Sequence, residues 1–284
     1  MYNITIIGPG LIGASLGLCL KKHALANKIH GMDIDTINLK KAKSLNAIDE
    51  AHKEIGSYVN ESDIVFVCTP VGTFHKIFES LNKFLTKKTI VSDVGSVKGF
   101  FLKKPFNNFR NLNIVPGHPI AGTEFSGASN SKIDMFENKW CILTPINKSK
   151  SIKVIENIWK RMNMRVEIMS PNKHDKIMSV TSHLPHLIAF TIVGTAFNLS
   201  PRDRKSLLNF SAGGFRDFTR IGSSDPKMWH DIFLQNKKFI LSTLEKFGND
   251  LDFLKMLIKT ENSGKILNIL KKNKTIRQKI SKLS

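Results

Sequence analysis

At 284 residues and 41% hydrophobic composition, the chain can bury a sizeable core and divide into about two domains. A formal charge of +20 with a pI near 9.9 would suit a nucleic-acid or membrane-surface binder. The lysines are nevertheless spread along presumed helix faces, with only residues 255–284 densely basic, so they read as solvated cationic helices whose field favours anionic small substrates. No run approaches the roughly 20 apolar residues of a bilayer span, and the N-terminus enters an apolar strand without a basic leader, so a cytoplasmic protein is expected. Cys19, Cys68 and Cys141 stand far apart in apolar surroundings with neither a CxxC nor a Cys/His ligand spacing; they read as reduced core residues, and no metal site is expected.

In chain order, residues 3–8 form a strand that leads into GPGLIGASLG, with Gly8, Gly10 and Gly13 in GxGxxG spacing at the mouth of an apolar helix reaching Lys22. A second strand at 29–32 ends in Asp33, about 20 residues past the last glycine, the context a dinucleotide fold requires. Gly8 permits a tight turn, Gly10 lets the backbone approach a pyrophosphate, and Gly13 allows close helix packing. The N–H groups around Leu11 and Ile12 then face the phosphates. Asp33 is placed to hold the adenosine ribose hydroxyls and to repel a 2′-phosphate, so NAD is preferred over NADP. Lys40, Lys41 and Lys43 are the residues that could reach such a phosphate, and Asp35, a competitor for the ribose role, reads better as the cap of the helix starting near Thr36.

A buried strand at 64–68 is followed by Thr69 and Pro70, either a cover for the cofactor or a plain βα turn. Strands at 89–93, 113–115, 140–143 and 165–168, with helices at 74–85 and 152–162, imply a mostly parallel, doubly wound Rossmann-type sheet to about residue 170. Two motifs sit at strand ends, DVGSVK (93–98) and PGHPIAGTEFSG (116–127). The second sets His118 between Gly117 and Pro119 and adds Thr123 and Glu124. An imidazole fixed in this way exchanges a proton near neutrality, whereas an isolated GHP would be a surface turn.

Beyond Pro171 strand alternation stops. Residues 174–197 read as one long helix, or two broken at Pro185, in which LIAFTIVGTAF is apolar on every side and expected to be buried. Helices follow at 205–210, 227–246 and 251–284. The expected division is 1–170, a dinucleotide-binding domain, and 171–284, an all-helical substrate and dimerisation domain. So much apolar surface on a small helical domain is expected to complete its core against a second copy, giving a homodimer.

Taken together, GPGLIGASL, CTPV, DVGSVK, PGHPIAGTEFSG, SHLPH (182–186) and GGFRDFTRIGSSDPKMW (213–229) resemble the prephenate and arogenate dehydrogenases of tyrosine biosynthesis, in the same order over most of the chain. The resemblance implies an oxidoreductase that transfers hydride from the hydroxyl-bearing carbon of prephenate to NAD+ with loss of carbon dioxide, giving 4-hydroxyphenylpyruvate. Arogenate as substrate, or both substrates, with NAD(P)+, is the alternative. It implies that His118 accepts the substrate hydroxyl proton and that Ser96 orients His118 or touches that hydroxyl; otherwise Ser96 caps the next helix. Arg220 matches the carboxylate binder, with Arg216 its rival, and Asp217, three residues earlier, is assigned the orientation of site groups. His186 corresponds to a ligand-binding histidine, and His183 reads as a polar core group. Ser182, Thr123 and Glu124 fit the substrate pocket, and Trp229 packs near the site or in an interface. His23, His30, His52, His75, His174 and His230 are expected as surface or helix residues without a role.

Two other readings compete. A hydroxy-acid dehydrogenase of similar architecture would place a catalytic lysine in the helical domain, where no suitable motif stands. A cationic nucleic-acid-binding or NAD-sensing protein would keep the fold for binding alone, but the basic tail lacks interleaved aromatic residues.

Overall fold

A computed structural model describes residues 1–109 and 112–281. Among the described residues there are eight strands, most of them apolar runs: β1 (Tyr2–Ile7), β2 (Ala26–Met32), β3 (Glu50–His52), β4 (Ile64–Val67), β5 (Ile90–Asp93), β6 (Asn113–Pro119), β7 (Trp140–Leu143) and β8 (Arg165–Ile168). They make one sheet in the order β3-β2-β1-β4-β5-β6-β7-β8. The first six strands are parallel; β7 runs antiparallel to β6, and β8 parallel to β7. Central strands are buried on both faces, which is why they read as unbroken apolar runs rather than alternating ones. Ile4, Ile6, Ile64 and Phe66 point to a core shared with α1 (Leu11–Lys22), α2 (Thr36–Ser44) and α4 (Ser151–Arg161). Ile7, Val65 and Val67 point to the opposite core, closed by α3 (Phe74–Phe84) and the aromatic cluster Phe100, Phe101 and Phe106. The strand order reverses between β1 and β4, which opens a crevice at their carboxyl ends, as a doubly wound Rossmann sheet does.

Three strands depart from the sequence expectation, the first being β2, which starts at Ala26 rather than at 29. The short edge strand β3 was not foreseen. Strand β6 runs four residues beyond the expected end because it changes partners: Asn113–Pro116 pairs with β5, and Gly117–Pro119 then pairs with β7. His118 therefore lies inside a strand opposite Ile142, not in a loop.

The helical part begins with α5 (Pro171–Met178), a π-helical turn at Ser179–His183 and α6 (Leu184–Phe197). These run on without a break, with Pro185 directly after the π-helical turn, where the altered hydrogen-bond pattern accommodates a residue without an N–H. Next come α7 (Pro201–Phe210), α8 (Gly213–Thr219), a 3-10 turn at Arg220–Ser223 and α9 (Pro226–Gln235). Helices α5, α7 and α9 start alike, with Ser170, Ser200 or Asp225 capping a backbone N–H ahead of a proline. The helix expected at 227–246 is interrupted at Asn236, after which α10 (Lys237–Lys259) begins, and α11 (Ser263–Ser281) completes the described chain. The last three residues of the expected final helix, 282–284, lie outside the described residues.

The expectation that α6 is buried is corrected: within one chain only Ala189 of that helix is fully buried, and Phe197 is 43% exposed. The expectation that no run is long enough to span a bilayer is corrected too. Pro171–Phe197, at 27 residues, is long and apolar enough to do so by length and composition. Its first half, however, carries His174, Asp175 and His183, all buried in polar contacts of the fold. Secondary structure changes from strand to helix after β8, while packing groups Met1–Lys237 as one compact unit and Lys238–Ser284 as another.

Candidate active site

The crevice begins at the glycine turn between β1 and α1. Gly8 adopts φ +83°, and a Cβ there would lie 2.6 Å from the Thr69 methyl group. A Cβ on Gly13 would lie 2.3 Å from the Gly8 carbonyl oxygen, so helix and turn touch with no room for a side chain. Gly10 instead faces open space. No side chain caps α1 and its first turn carries no acid, which leaves the amides at Leu11 and Ile12 and the positive end of the helix dipole to an anionic group. A pyrophosphate fits this cradle.

Asp33 follows β2, half-buried, and burial raises its carboxyl above the usual carboxylate value. Asp35 is occupied as the cap of α2, accepting from the amides of Ile37 and Asn38 at 2.8 and 3.3 Å. Lys40, Lys41 and Lys43 are exposed on α2, and none pairs with Asp33 among the described residues. The residues present thus suit a ribose diol better than a 2′-phosphate. Thr69 walls the turn and accepts a hydrogen bond from the Thr73 hydroxyl at 2.8 Å. Pro70 leads into a 3-10 turn, Val71–Thr73, whose Gly72 amide donates to Asp231 of α9 at 3.2 Å. The segment after β6 folds back over the mouth of α1: a Cβ on Gly122 would lie 3.9 Å from Ile12, and the Ala128 amide donates to Asn38 at 3.1 Å. The loop that follows His118 is thereby packed against the first turn of α1 and against α2.

His118 is 8% exposed, and its Nδ1 lies 2.8 Å from Nε2 of His174, whose Nδ1 lies 2.8 Å from Oδ1 of Asp175. The Asp175 carboxylate also accepts the amides of Lys98 and Gly99, at 2.8 and 2.7 Å. Burial pushes His118 well below the ordinary imidazole value, with His174 and then Lys98 adding to it. Burial also lowers His174 despite its carboxylate partner. With both rings neutral the proton positions follow. A carboxylate only accepts, so His174 donates from Nδ1 and accepts at Nε2; His118 donates from Nδ1 and keeps its lone pair at Nε2. Beneath the pair, Asp93 and Lys98 form a fully buried ion pair, and Asp93 also accepts the Gly95 and Gly117 amides at 2.8 and 3.3 Å.

On the helical side, Arg220 opens the 3-10 turn after α8 and donates to Glu124 at 3.0 Å, with 58% of its side chain exposed. His186 on α6 shares a hydrogen bond with the Ser182 carbonyl at 2.9 Å and stacks on Trp229, ring centroids 3.8 Å apart at 21°. Burial lowers its imidazole below the ordinary value, and the Arg220 cation adds to this. Trp229 is 4% exposed. His183 is buried, its Nδ1 3.0 Å from the side-chain nitrogen of Asn236, and burial pushes its imidazole down to about 4. Thr123 is exposed, its hydroxyl accepting the Phe125 amide at 3.3 Å.

Several sequence assignments change with these contacts. Asp217 does not face Arg220: α8 tightens to a 3-10 turn between them, and the guanidinium pairs with Glu124 instead. Asp217 and Arg216 are both exposed on α8. Ser96 caps no helix, since the 3-10 turn Gly99–Leu102 that follows has no side-chain cap, and no hydrogen bond joins it to His118 among the described residues. The ring of His118 is held by His174, expected as a residue without a role and in fact fully buried. The only sequence signal for it is the adjacent pair His174-Asp175 in the first turns of a helix, which is weak without the fold.

Models of two domains match the chain: prephenate dehydrogenase, nucleotide-binding domain, over residues 16–168, and prephenate dehydrogenase, dimerization domain, over residues 170–272. The chain is 33% identical to a cyclohexadienyl dehydrogenase of Zymomonas mobilis, covering 97% of this chain and 94% of that one. It is 34% identical to a prephenate dehydrogenase of Bacillus subtilis, covering 97% and 75%. Its structure is similar to that of a prephenate dehydrogenase from A. aeolicus in complex with hydroxyphenyl propionate and NAD+, with a TM-score of 0.91, 39% identity and 99% and 98% coverage. A Synechocystis arogenate dehydrogenase superposes with a TM-score of 0.80 at 26% identity, covering 98% and 99%.

Proposed function

We infer, from the premise that this chain belongs to the prephenate dehydrogenase family, that it catalyses the NAD+-dependent oxidative decarboxylation of prephenate to 4-hydroxyphenylpyruvate. The observation that carries the reading is the buried relay His118–His174–Asp175 on strand β6 of the sheet whose first strand leads into the glycine turn. NAD+, when bound, takes up the hydride from the hydroxyl-bearing ring carbon. Gly8, Gly10, Leu11, Ile12 and Gly13 hold its pyrophosphate, Asp33 its ribose, and Thr69 and Pro70 border it.

His118 accepts the substrate O–H at Nε2 and draws off the proton as the C–H bond breaks. The carbon–carboxylate bond then breaks, its electron pair completes the aromatic ring, and the proton returns to the ring oxygen as a phenol. No net proton is released. His174 and Asp175 keep the lone pair of His118 aimed outward and stabilise the imidazolium as it forms, the service a buried carboxylate renders in a Ser-His-Asp triad. Arg220 holds a substrate carboxylate, which it must share with or take over from Glu124. His186, stacked on Trp229, borders the same pocket with Ser182 and Thr123, and Ser96 stands by the substrate hydroxyl.

The relatives include enzymes named for cyclohexadienyl and arogenate substrates, so an assay crossing prephenate and arogenate with NAD+ and NADP+ is the direct test. NADH formation fastest with prephenate is the expected outcome; its absence with both substrates would overturn the reading. A homodimer formed through the helical domain, 171–284, fits the exposed apolar surface of α6, and a biosynthetic reaction drawing on NAD+ fits the cytoplasm.

A further inference from the structure

We propose that the outer edge of the sheet carries a second, non-catalytic site: a divalent transition-metal cation of the zinc class, held by His30 Nδ1, His52 Nε2 and Glu50 Oε2. Side chains two apart on a strand share a face, so Glu50 and His52 of β3 point the same way, and the register sets His30 of β2 directly opposite Glu50. The three atoms form a triangle with edges of 3.0, 3.4 and 3.9 Å. A point in its plane equidistant from all three lies about 2.0 Å from each, the length of a zinc–imidazole or zinc–carboxylate bond.

The surroundings prepare the donors. His30 forms the floor, 2% exposed, while Glu50 and His52 are 47% and 25% exposed, leaving one side open to the ion and its waters. The other oxygen of Glu50 is taken by Lys28 at 2.7 Å, which leaves Oε2 toward the imidazoles. Tyr58 stacks on the His52 ring at 3.6 Å and 7° and fixes its plane. A metal-bound His30 would carry its proton on Nε2. That buried atom has no hydrogen-bond partner among the described residues, and Glu61 stands 3.9 Å away to receive it. A carboxylate behind a ligating imidazole is the usual second partner of such a ligand. Without a cation, two ring nitrogens 3.0 Å apart share one proton. The cation replaces that proton and takes both lone pairs, with the rings tilting toward Glu50. The relay at His118 does not compete, because its groups stand in line and both Asp175 oxygens are taken by amides.

The test is calorimetric titration of EDTA-dialysed full-length chain with Zn2+, and with Co2+ followed by visible absorption. One ion per chain is expected, with affinity falling at least about ten-fold in both His52→Gln and Glu50→Gln, half-exposed positions that leave the core intact, and unchanged in His118→Asn. Absence of stoichiometric binding, binding indifferent to both edge substitutions, or binding lost in His118→Asn would overturn the assignment.

Discussion

A neutral imidazole with its lone pair aimed outward is what hydride loss from an alcohol carbon needs, and here that state depends on three side chains in line. Replacing His118 by Asn removes the proposed proton acceptor, so kcat is expected to fall by about 10²–10⁴-fold while NAD+ still binds, which calorimetry on the same sample checks. Asp175→Asn leaves an amide N–H facing one of the backbone amides of Lys98 and Gly99 or the His174 ring. Its expected mark is a lower kcat at an unchanged KM, since the residue acts through His174 and touches no substrate. Arg220→Gln should do the reverse, raising KM about 10–100-fold, the worth of a charged hydrogen-bonded pair, with kcat little altered. Because burial holds His118 below the ordinary imidazole value, the acid limb of kcat/KM should fall at lower pH than the roughly 6.5 of a free histidine.

Strand β6 shows how an element can carry chemistry. Its switch of partner at Pro116 and Gly117 projects His118 from a paired, rigid position, and a rigid support is what a precise hydrogen-bond line requires. On the opposite side, the π-helical turn keeps Pro171–Phe197 continuous, so that His174 meets His118 of the sheet, His183 meets Asn236 and His186 meets Trp229. Asn236, at the break between α9 and α10, locks this arrangement by donating to the Asp175 carbonyl at 2.9 Å while its side chain also meets His183. Asn236→Ala leaves buried groups unpaired and should cost about 1–3 kcal/mol in urea denaturation; an unchanged midpoint would remove its locking role.

In the molecule as a whole, four buried histidines, His30, His118, His174 and His183, have imidazoles held below their ordinary value by burial. The unfolded chain therefore binds more protons than the folded one, and stability is full above the unfolded value near 6.5 and lost as pH falls through the folded values. For His183, held at about 4, the loss across that window is about 3 kcal/mol, visible as a lower urea midpoint at pH 4.5 than at pH 7. The exposed apolar side of α6 bears on assembly: Phe197→Asp is expected to shift the protein from dimer to monomer in sedimentation, at the proposed interface.

The glycine turn, the cap at Asp35 and most strands and helices could be read from the sequence, because each is set by local spacing, by backbone freedom or by unbroken apolar runs. The family could be read as well, from motifs such as SHLPH and the stretch around Arg220. The relay behind His118, the pairing of Arg220 with Glu124 rather than Asp217, and the His30–Glu50–His52 triangle could not. His118 and His174 are 56 residues apart and Glu124 and Arg220 are 96 apart, while the triangle depends on the register of an edge strand of three residues. Which polar groups meet is settled by strand order and helix docking, and those follow from how the whole chain closes over its two cores.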